Sequence, residues 1–413
     1  MEILNESIIV IVGAGIAGLS TSLALHRVGL KSLVLESSGS LRTTGFGLAT
    51  WTNAWRALDA LGVGNALRQK SLQFSRFEVF SVKSGKLCAE LSLKPNEKPE
   101  DYDSRCLRRS LMIEAIAKEL PQGTIRLSSK VVSIQESGPY KLLHLLDGCI
   151  IKCKVVIGAD GINSVVAKWM GLEKPVDAKR SAIRGYVEFP EGSGFGAKFR
   201  LHLGGGVRLG ILPCDDKSLY WFCTFTPADV HYALVDQDPM KMKQFVLDKA
   251  AKRFKEATDI VERTSPENIS GARLSFRSPW NVLFGDIVKG NVCLVGDALH
   301  AMTPDIGEGG CSALEDSVVL GRCLGEAVSK AAAAAAGGGG GEDCVEKGLR
   351  KYAKERRWRV FDLITTSYVV GLVQERNGDV ITVLRDYWLA KRTIRTMLKR
   401  AHFDCGKLIT KLN

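Results

Sequence analysis

The sequence predicts an α/β fold in which a nucleotide-binding domain assembled from separated segments carries an inserted mixed β-sheet domain and a C-terminal helical segment. Three observations predict it. The chain opens with a strand, a glycine loop and a helix, with Gly13, Gly15 and Gly18 spaced GxGxxG directly after the apolar run Ser7 to Val12. A second strand, glycine loop and helix lie far downstream, within residues 291–330. Between them, residues 180–230 are rich in glycine, aromatic and β-forming residues, including Tyr186, Phe189, Phe199, Tyr220, Trp221 and Phe222, which suits a sheet with one buried face.

The elements follow in order. The fold is expected to begin at residue 7 with the first strand, and residues 17–28 (AGLSTSLALHRV) have helical periodicity. Ser32 to Leu35 is a short strand ending in Glu36, which completes a β-α-β unit. A helix over Thr52 to Leu61 is closed by Gly62, residues 76–93 alternate as a hairpin around Ser84 and Gly85, and a further helix covers Arg109 to Leu120. Strands are predicted at 142–146 and 151–157, a charged helix near 238–257, a strand over Asn291 to Val295 and a helix from Gly310 to Lys330. Ala331 to Ala336 followed by Gly337 to Gly341 reads as a flexible surface linker. The remainder is helical and carries Tyr352, Glu355, Arg356, Arg357 and Arg359 on one charged helix.

Composition narrows the class. With 413 residues, 45% apolar and 25% charged, the chain is an ordinary globular protein of two or three domains. No apolar run has the length of a membrane span, and no leader or transit peptide is evident, so an intracellular, cytoplasmic protein is expected. The 11 cysteines are scattered without a CxxC, which argues for reduced thiols and against a zinc site or other metal centre. Of the net charge of +12, half lies in residues 381–413, where eight basic residues face two acidic ones. No nucleic-acid-binding motif accompanies the charge. The apolar residues Leu389, Ile394, Met397 and Leu398 interleave with this basic segment, which leaves two readings: a peripheral contact with an anionic membrane, or a packed helix with its charges in solvent. The second is preferred.

The chemistry lies in the glycine loops. Gly13 permits the tight turn, Gly15 lets the backbone approach a pyrophosphate, and Gly18 lets helix and strand pack closely in a Rossmann-type unit. Glu36, 18 residues beyond Gly18, can accept hydrogen bonds from both ribose hydroxyls, which suits FAD or NAD better than NADP. The second unit, LVGDALHAMTPDIGEGGCSALED over residues 294–316, places Asp297 at a strand end, where it can bind a polyol. Its Gly307, Gly309 and Gly310 open a helix whose amides can face a ring that becomes anionic on reduction. Flavin has both the polyol and the anionic reduced ring; nicotinamide has neither.

These segments, with GADG at Gly158 to Gly161, resemble in order the fingerprints of the single-component, class A flavoprotein monooxygenases. The family includes para-hydroxybenzoate and salicylate hydroxylases, zeaxanthin epoxidases and FAD-dependent urate hydroxylases. TPDIGEGGC and the Ala/Gly tract look most like the plant salicylate-hydroxylase-like members. The resemblance implies a discontinuous FAD-binding domain over 1–75, 105–178 and 275–330, and a β-rich substrate domain over 76–104 and 179–274. A linker at 331–341 and a helical segment at 342–413 complete the partition.

It also implies roles. Gly13, Gly15, Ala17 and Gly18 would cradle the cofactor, Glu36 would hold the ribose and Arg109, with Arg108 as the competing choice, the pyrophosphate side. Arg42 would lie near the cofactor, Asp160 and Gly161 would support FAD and NADPH contacts, and Asp297 would bind ribitol. Gly307, Gly309, Gly310 and Cys311 would present amides to the pyrimidine edge of the flavin. Pro304 would sit over the reacting face, and Arg208, Tyr220 and Asp305 match a pattern of urate hydroxylases that suits an anionic or phenolic substrate. His300 is expected to be structural.

The implied reaction uses NAD(P)H as a transient reductant, since no second GxGxxG is present, and O2, through a flavin C4a-hydroperoxide, to hydroxylate a small aromatic or phenolic compound. The rivals are oxidation of a larger, terpenoid-like substrate and a flavin-binding protein with little activity. Glu308 is the one departure, standing where the family has Gln. A carboxylate there is unfavourable unless it points to solvent, so Glu308 is expected to lower the flavin potential or slow turnover.

Overall fold

The computed structural model describes residues 3–41, 46–93, 103–226, 238–335, 343–375 and 390–408. Its first sheet has eight strands, six of them in the order Val288–Lys289, Val292–Leu294, Ile150–Gly158, Ile3–Val12, Leu33–Leu35 and Ile125–Arg126. Ile3–Val12 lies parallel to both Ile150–Gly158 and Leu33–Leu35, and Ile150–Gly158 lies parallel to Val292–Leu294. Continuous apolar runs such as Ile9 to Val12 and Val155 to Ile157 are buried, as central parallel strands require. The first strand starts at Ile3, four residues before the expected start. Helix Ile16–Arg27 packs on the long helix Gly309–Ala335, with Ser20 Oγ and Thr21 Oγ1 within 2.6 and 3.0 Å of Ser317 Oγ.

The second sheet has seven strands, in the order Ile269–Phe276, Val176–Glu188, Ser218–Phe225, Val207–Asp215, Lys198–Gly204, Arg76–Ser81 and Leu87–Ser92. Its period-two pattern separates two cores. Leu209, Ile211, Trp221 and Cys223 pack with Met242, Val246, Ile260 and Val261 of the covering helices. Leu212, Cys214 and Tyr220 turn the other way and join the main core.

Two predicted helices differ from expectation. The charged helix near 238–257 is broken into Pro239–Val246, a π-turn at Leu247–Ala251 and Lys255–Arg263. The break falls where Phe254 turns inward, its ring 4.2 Å from that of His202. Helix Gly309–Ala335 continues through much of the alanine tract read as linker, because alanine has the highest helix propensity and a long helix is already nucleated. The glycines that follow lie outside the described residues. At the C-terminus, helix Asp343–Glu375 runs along Gly309–Ala335, and helix Ala390–Arg400 buries Ile394, Met397 and Leu398. Arg400 clamps Asp362 at 2.7 and 2.8 Å, while Arg392, Arg395 and Lys399 face solvent. That apolar face is covered by protein, as in the packed-helix reading, and Leu389 lies outside the described residues. No described helix is long and apolar enough to cross a membrane.

Candidate active site

Register builds the site. Val12 pairs with Leu35 and with Gly158, and Gly158 pairs with Leu294, so four parallel strands end level. The loops after them, carrying Gly13, Glu36, Asp160 and Asp297, therefore meet at one edge, where ligands bind in open α/β sheets. Gly13 has φ +103°, and a Cβ there would stand 2.5 Å from the Ala159 carbonyl oxygen. A Cβ on Gly18 would drive into the Gly13 carbonyl. Only glycine serves at either place.

Two cavities lie along this edge. The first, of about 280 Å³, is lined by Gly13, Gly15, Glu36, Arg109, Asp160 and Gly161. Glu36 is nearly buried, and its carboxylate accepts the amides of Ala14 and Ser38, both at 2.9 Å. The second, of about 290 Å³, shares Gly15, Arg109, Ala159 and Gly161 with the first. It continues past Ala17 to Asp297, Gly309 and Gly310, with Phe46, Leu48, Arg184 and Tyr220 on its other walls. Arg109 stands at the junction, and a Cβ on Gly15 would be 4.0 Å from its Nη2. Arg108 turns away and donates to the Tyr186 hydroxyl at 3.2 Å, so geometry separates two neighbours that sequence could not.

The remaining sequence-predicted residues are dispersed. Asp160 lines the first cavity while its carboxylate accepts from Ser164 Oγ at 2.5 Å and from the Val165 amide at 2.7 Å, capping helix Val165–Met170; burial raises its pKa. Gly307, at φ +67°, and the buried Cys311 line neither cavity. Asp305 is buried and gripped by both Nη atoms of Arg180 at 2.7 Å, and Arg208 Nη2 donates to its carbonyl at 2.9 Å. Arg208 is itself buried, 4.8 Å from the Phe222 ring, and neither it nor Asp305 borders either cavity. Tyr220 does, and burial pushes its phenol up to about 12. Arg42 lies outside the described residues. Sequence reasoning missed Arg184, Ser270 and the strand Gly47–Thr50, because a single strand residue facing a ligand carries no local signature.

The chain matches the family described as FAD binding domain over residues 6–336. It is 46% identical over 97% of its length, and 98% of the relative's, to "Monooxygenase 2" of Arabidopsis thaliana. To "Monooxygenase 1" of that plant it is 34% identical over 98% of this chain and all of the relative. The chain belongs to the class A FAD-dependent monooxygenases. It is an oxidoreductase, and FAD is its cofactor. The same fold occurs in Klebsiella pneumoniae HpxO, solved with FAD and uric acid, with a TM-score of 0.81, 22% identity and coverage of 95% of this chain and 96% of the other.

Two joined cavities with a carboxylate at one end, an arginine at the waist and glycine amides at the other have the shape and donor set of an FAD site for this monooxygenase. A wider groove of about 700 Å³ adjoins them, sharing Arg184 and Asp297. Pro304, Met302 and Leu274 give it an apolar wall, while Lys168, Lys174, Arg184, Arg273 and Arg277 outnumber Glu173 and Asp297 on its polar sides.

Behind the loop Gly307–Gly310 lies a largely buried charged cluster. Arg356 donates to Glu315 at 2.5 Å and to Asp316 at 2.6 Å, and Arg359 donates to Glu315 at 2.7 Å. Asp316 accepts from the Gly296 amide at 2.8 Å and lies 2.6 Å from His300 Nε2, so His300 is structural and the loop bearing Asp297 is tied from behind. Glu308 is part of this cluster. It does not point to solvent, since it is only 1% exposed, so the solvent-facing arrangement that would have made a carboxylate harmless there is absent; Asn53 and helix Asp343–Glu375 roof it.

Proposed function

We propose that this monooxygenase hydroxylates a small aromatic or phenolic compound with NAD(P)H and O2. The observation that carries the reading is that Tyr220 and Arg184 line the same cavity as Gly309 and Gly310. A neutral phenol and a guanidinium so placed would bind and orient an anionic or phenolic ring against the flavin, and the uric acid in the HpxO structure is a ligand of that kind. Bound FAD would supply electron uptake and oxygen activation. Glu36 would hold the ribose, Arg109 the pyrophosphate and Asp297 the ribitol, while Gly309 and Gly310 would donate amides to the ring. The Arg180–Asp305–Arg208 cluster would fix the turn after Pro304 rather than touch substrate. The basic residues of the wide groove suit the phosphates of NAD(P)H beside the DG segment.

The test is NAD(P)H oxidation with phenols or urate, set against terpenoid-like compounds. Stimulation by a small aromatic with one hydroxylated product per NAD(P)H supports the reading. Stimulation only by an apolar terpenoid, or consumption yielding only hydrogen peroxide, overturns it.

A further inference from the structure

Glu308 sits between Gly307 and Gly309, so its backbone belongs to the loop beside the second cavity while its side chain turns into the protein. Every element packed on it contributes charge or polarity. Helix Thr52–Ala60 brings Asn53, whose Nδ2 donates to Glu308 Oε2 at 2.7 Å and to Glu315 Oε1 at 2.6 Å. Helix Gly309–Ala335 brings Cys311, Glu315 and Asp316, the last paired with His300. Helix Asp343–Glu375 brings Arg356 and Arg359, and the chain near Phe403 and Cys405 covers both guanidiniums.

The two guanidiniums do not serve the three carboxylates equally. Glu315 takes short bonds from both, and Asp316 takes Arg356 Nε and His300. Glu308 has one neutral amide, and Arg359 only at 4.0 Å. Its Oε1 and the Asn53 Oδ1 are both buried without a hydrogen-bond partner. An ionised carboxylate in that position is desolvated and only weakly compensated, and protonation removes the charge. Burial, reinforced by Glu315 and opposed by Arg359 and Asn53, pushes the carboxyl up to about 8. The uncharged acid also matches in size and neutrality the Gln found here in the family.

We propose that Glu308 is a positioning residue, held beneath the flavin loop as a neutral carboxylic acid, whose ionisation weakens the tendency of the bound flavin to accept electrons. Ionisation releases one proton to solvent and moves no electron at Glu308. The charge left behind opposes the negative charge that the ring gains on reduction. The inference rests on the reading that Gly309 and Gly310 face that ring.

The experiment compares FAD-loaded wild-type protein with Glu308→Gln over pH 6 to 9.5, reading the flavin midpoint potential and the melting temperature. Below about pH 7 the two potentials should coincide; above about pH 8 the wild type should fall below the variant. The folded carboxyl titrates near 8, above its ordinary 4.5, so its stabilising share is lost as pH rises between those values. The variant's advantage in melting temperature should therefore grow across that window. Potentials offset equally at every pH overturn the proposal, because the carboxylate would then be ionised throughout. Divergent melting with coincident potentials also overturns it, and places the fault in the assumed position of the ring. Melting curves that do not diverge show that Glu308 does not titrate, which overturns the proposal and leaves the FAD site intact.

Discussion

Two buried ion clusters flank the segment Thr303 to Gly310, and they balance charge in opposite ways. On the side of the seven-stranded sheet one carboxylate, Asp305, faces two guanidiniums, Arg180 and Arg208. On the helical side two guanidiniums, Arg356 and Arg359, face Glu308, Glu315 and Asp316. In the first cluster the anion is saturated. In the second, Glu315 and Asp316 take the strong bonds and Glu308 is left with an amide. Burial tends to raise all three carboxyls, yet Arg356 and Arg359 hold Glu315, and His300 and Arg356 hold Asp316, below the ordinary carboxylate range. Geometry of the partners, not burial alone, decides which acid keeps its charge.

The largest effect should come from Arg356→Met. It leaves Glu315 with Arg359 and Asn53, and Asp316 with His300, inside a closed cluster, at a cost of about 5 kcal/mol. Thermal melting should show this loss, together with weaker FAD retention, because Asp316 holds the Gly296 amide. The pH dependence has a definite sign. Glu315 and Asp316 titrate below their unfolded values, so their contribution is present above about pH 4 and lost as pH falls through the folded value. Glu308 acts oppositely, so wild-type stability should decline toward both extremes, and Arg356→Met should flatten the acid limb.

Arg180→Met tests the other cluster. Asp305 keeps Arg208 at 3.6 Å, so the loss should be smaller, about 3 kcal/mol. FAD affinity should change little, since neither residue borders the FAD cavities. A large loss of FAD with unchanged melting would show that Asp305 faces the cofactor directly.

The same contrast separates what could be read in the sequence from what could not. Gly13, Gly15, Gly18 and Glu36 lie in the first β-α-β unit and Asp297 follows a strand of the second, so the roles proposed for them could be read from spacing within each unit. The clusters join residues from four distant segments. Arg356 sat in a visibly charged helix, yet the run KERRWR gives no sign that this one arginine is buried while Lys354 and Trp358 are exposed. Arg208 and Asp305 were singled out with Tyr220 as residues of a substrate site, not as partners of each other, and Arg180, which takes the carboxylate, lies on another strand at a bulge. Glu308 was visible as an oddity of the loop, and its direction was not, because direction depends on Asn53, 255 residues away.

Glu36→Gln probes the part built from spacing. The carboxylate is fixed by two loop amides and would accept from the ribose, and charged hydrogen bonds of this kind contribute about 1.5–3 kcal/mol. FAD should bind roughly tenfold or more weakly, read by titrating apoprotein, while melting of the apoprotein changes little. If affinity is retained, the first cavity does not hold the ribose.

The smallest effect should come from Tyr220→Phe, which removes one hydroxyl from the cavity wall and keeps the ring. Burial pushes the phenol up to about 12, so at neutral pH it carries its proton and can donate a hydrogen bond but cannot act as a base. Losing a neutral hydrogen bond costs about 1 kcal/mol, or roughly fivefold in affinity. KM for the aromatic substrate should rise by about that factor, with kcat, the shape of the pH profile and FAD affinity near wild type. A collapse of kcat with loss of an alkaline limb would make Tyr220 a proton-transfer group, and its phenol would then have to ionise far more readily than its burial allows. An unchanged KM would instead move the substrate away from this wall and into the wide groove beside Pro304, where Arg184 is the residue both sites share.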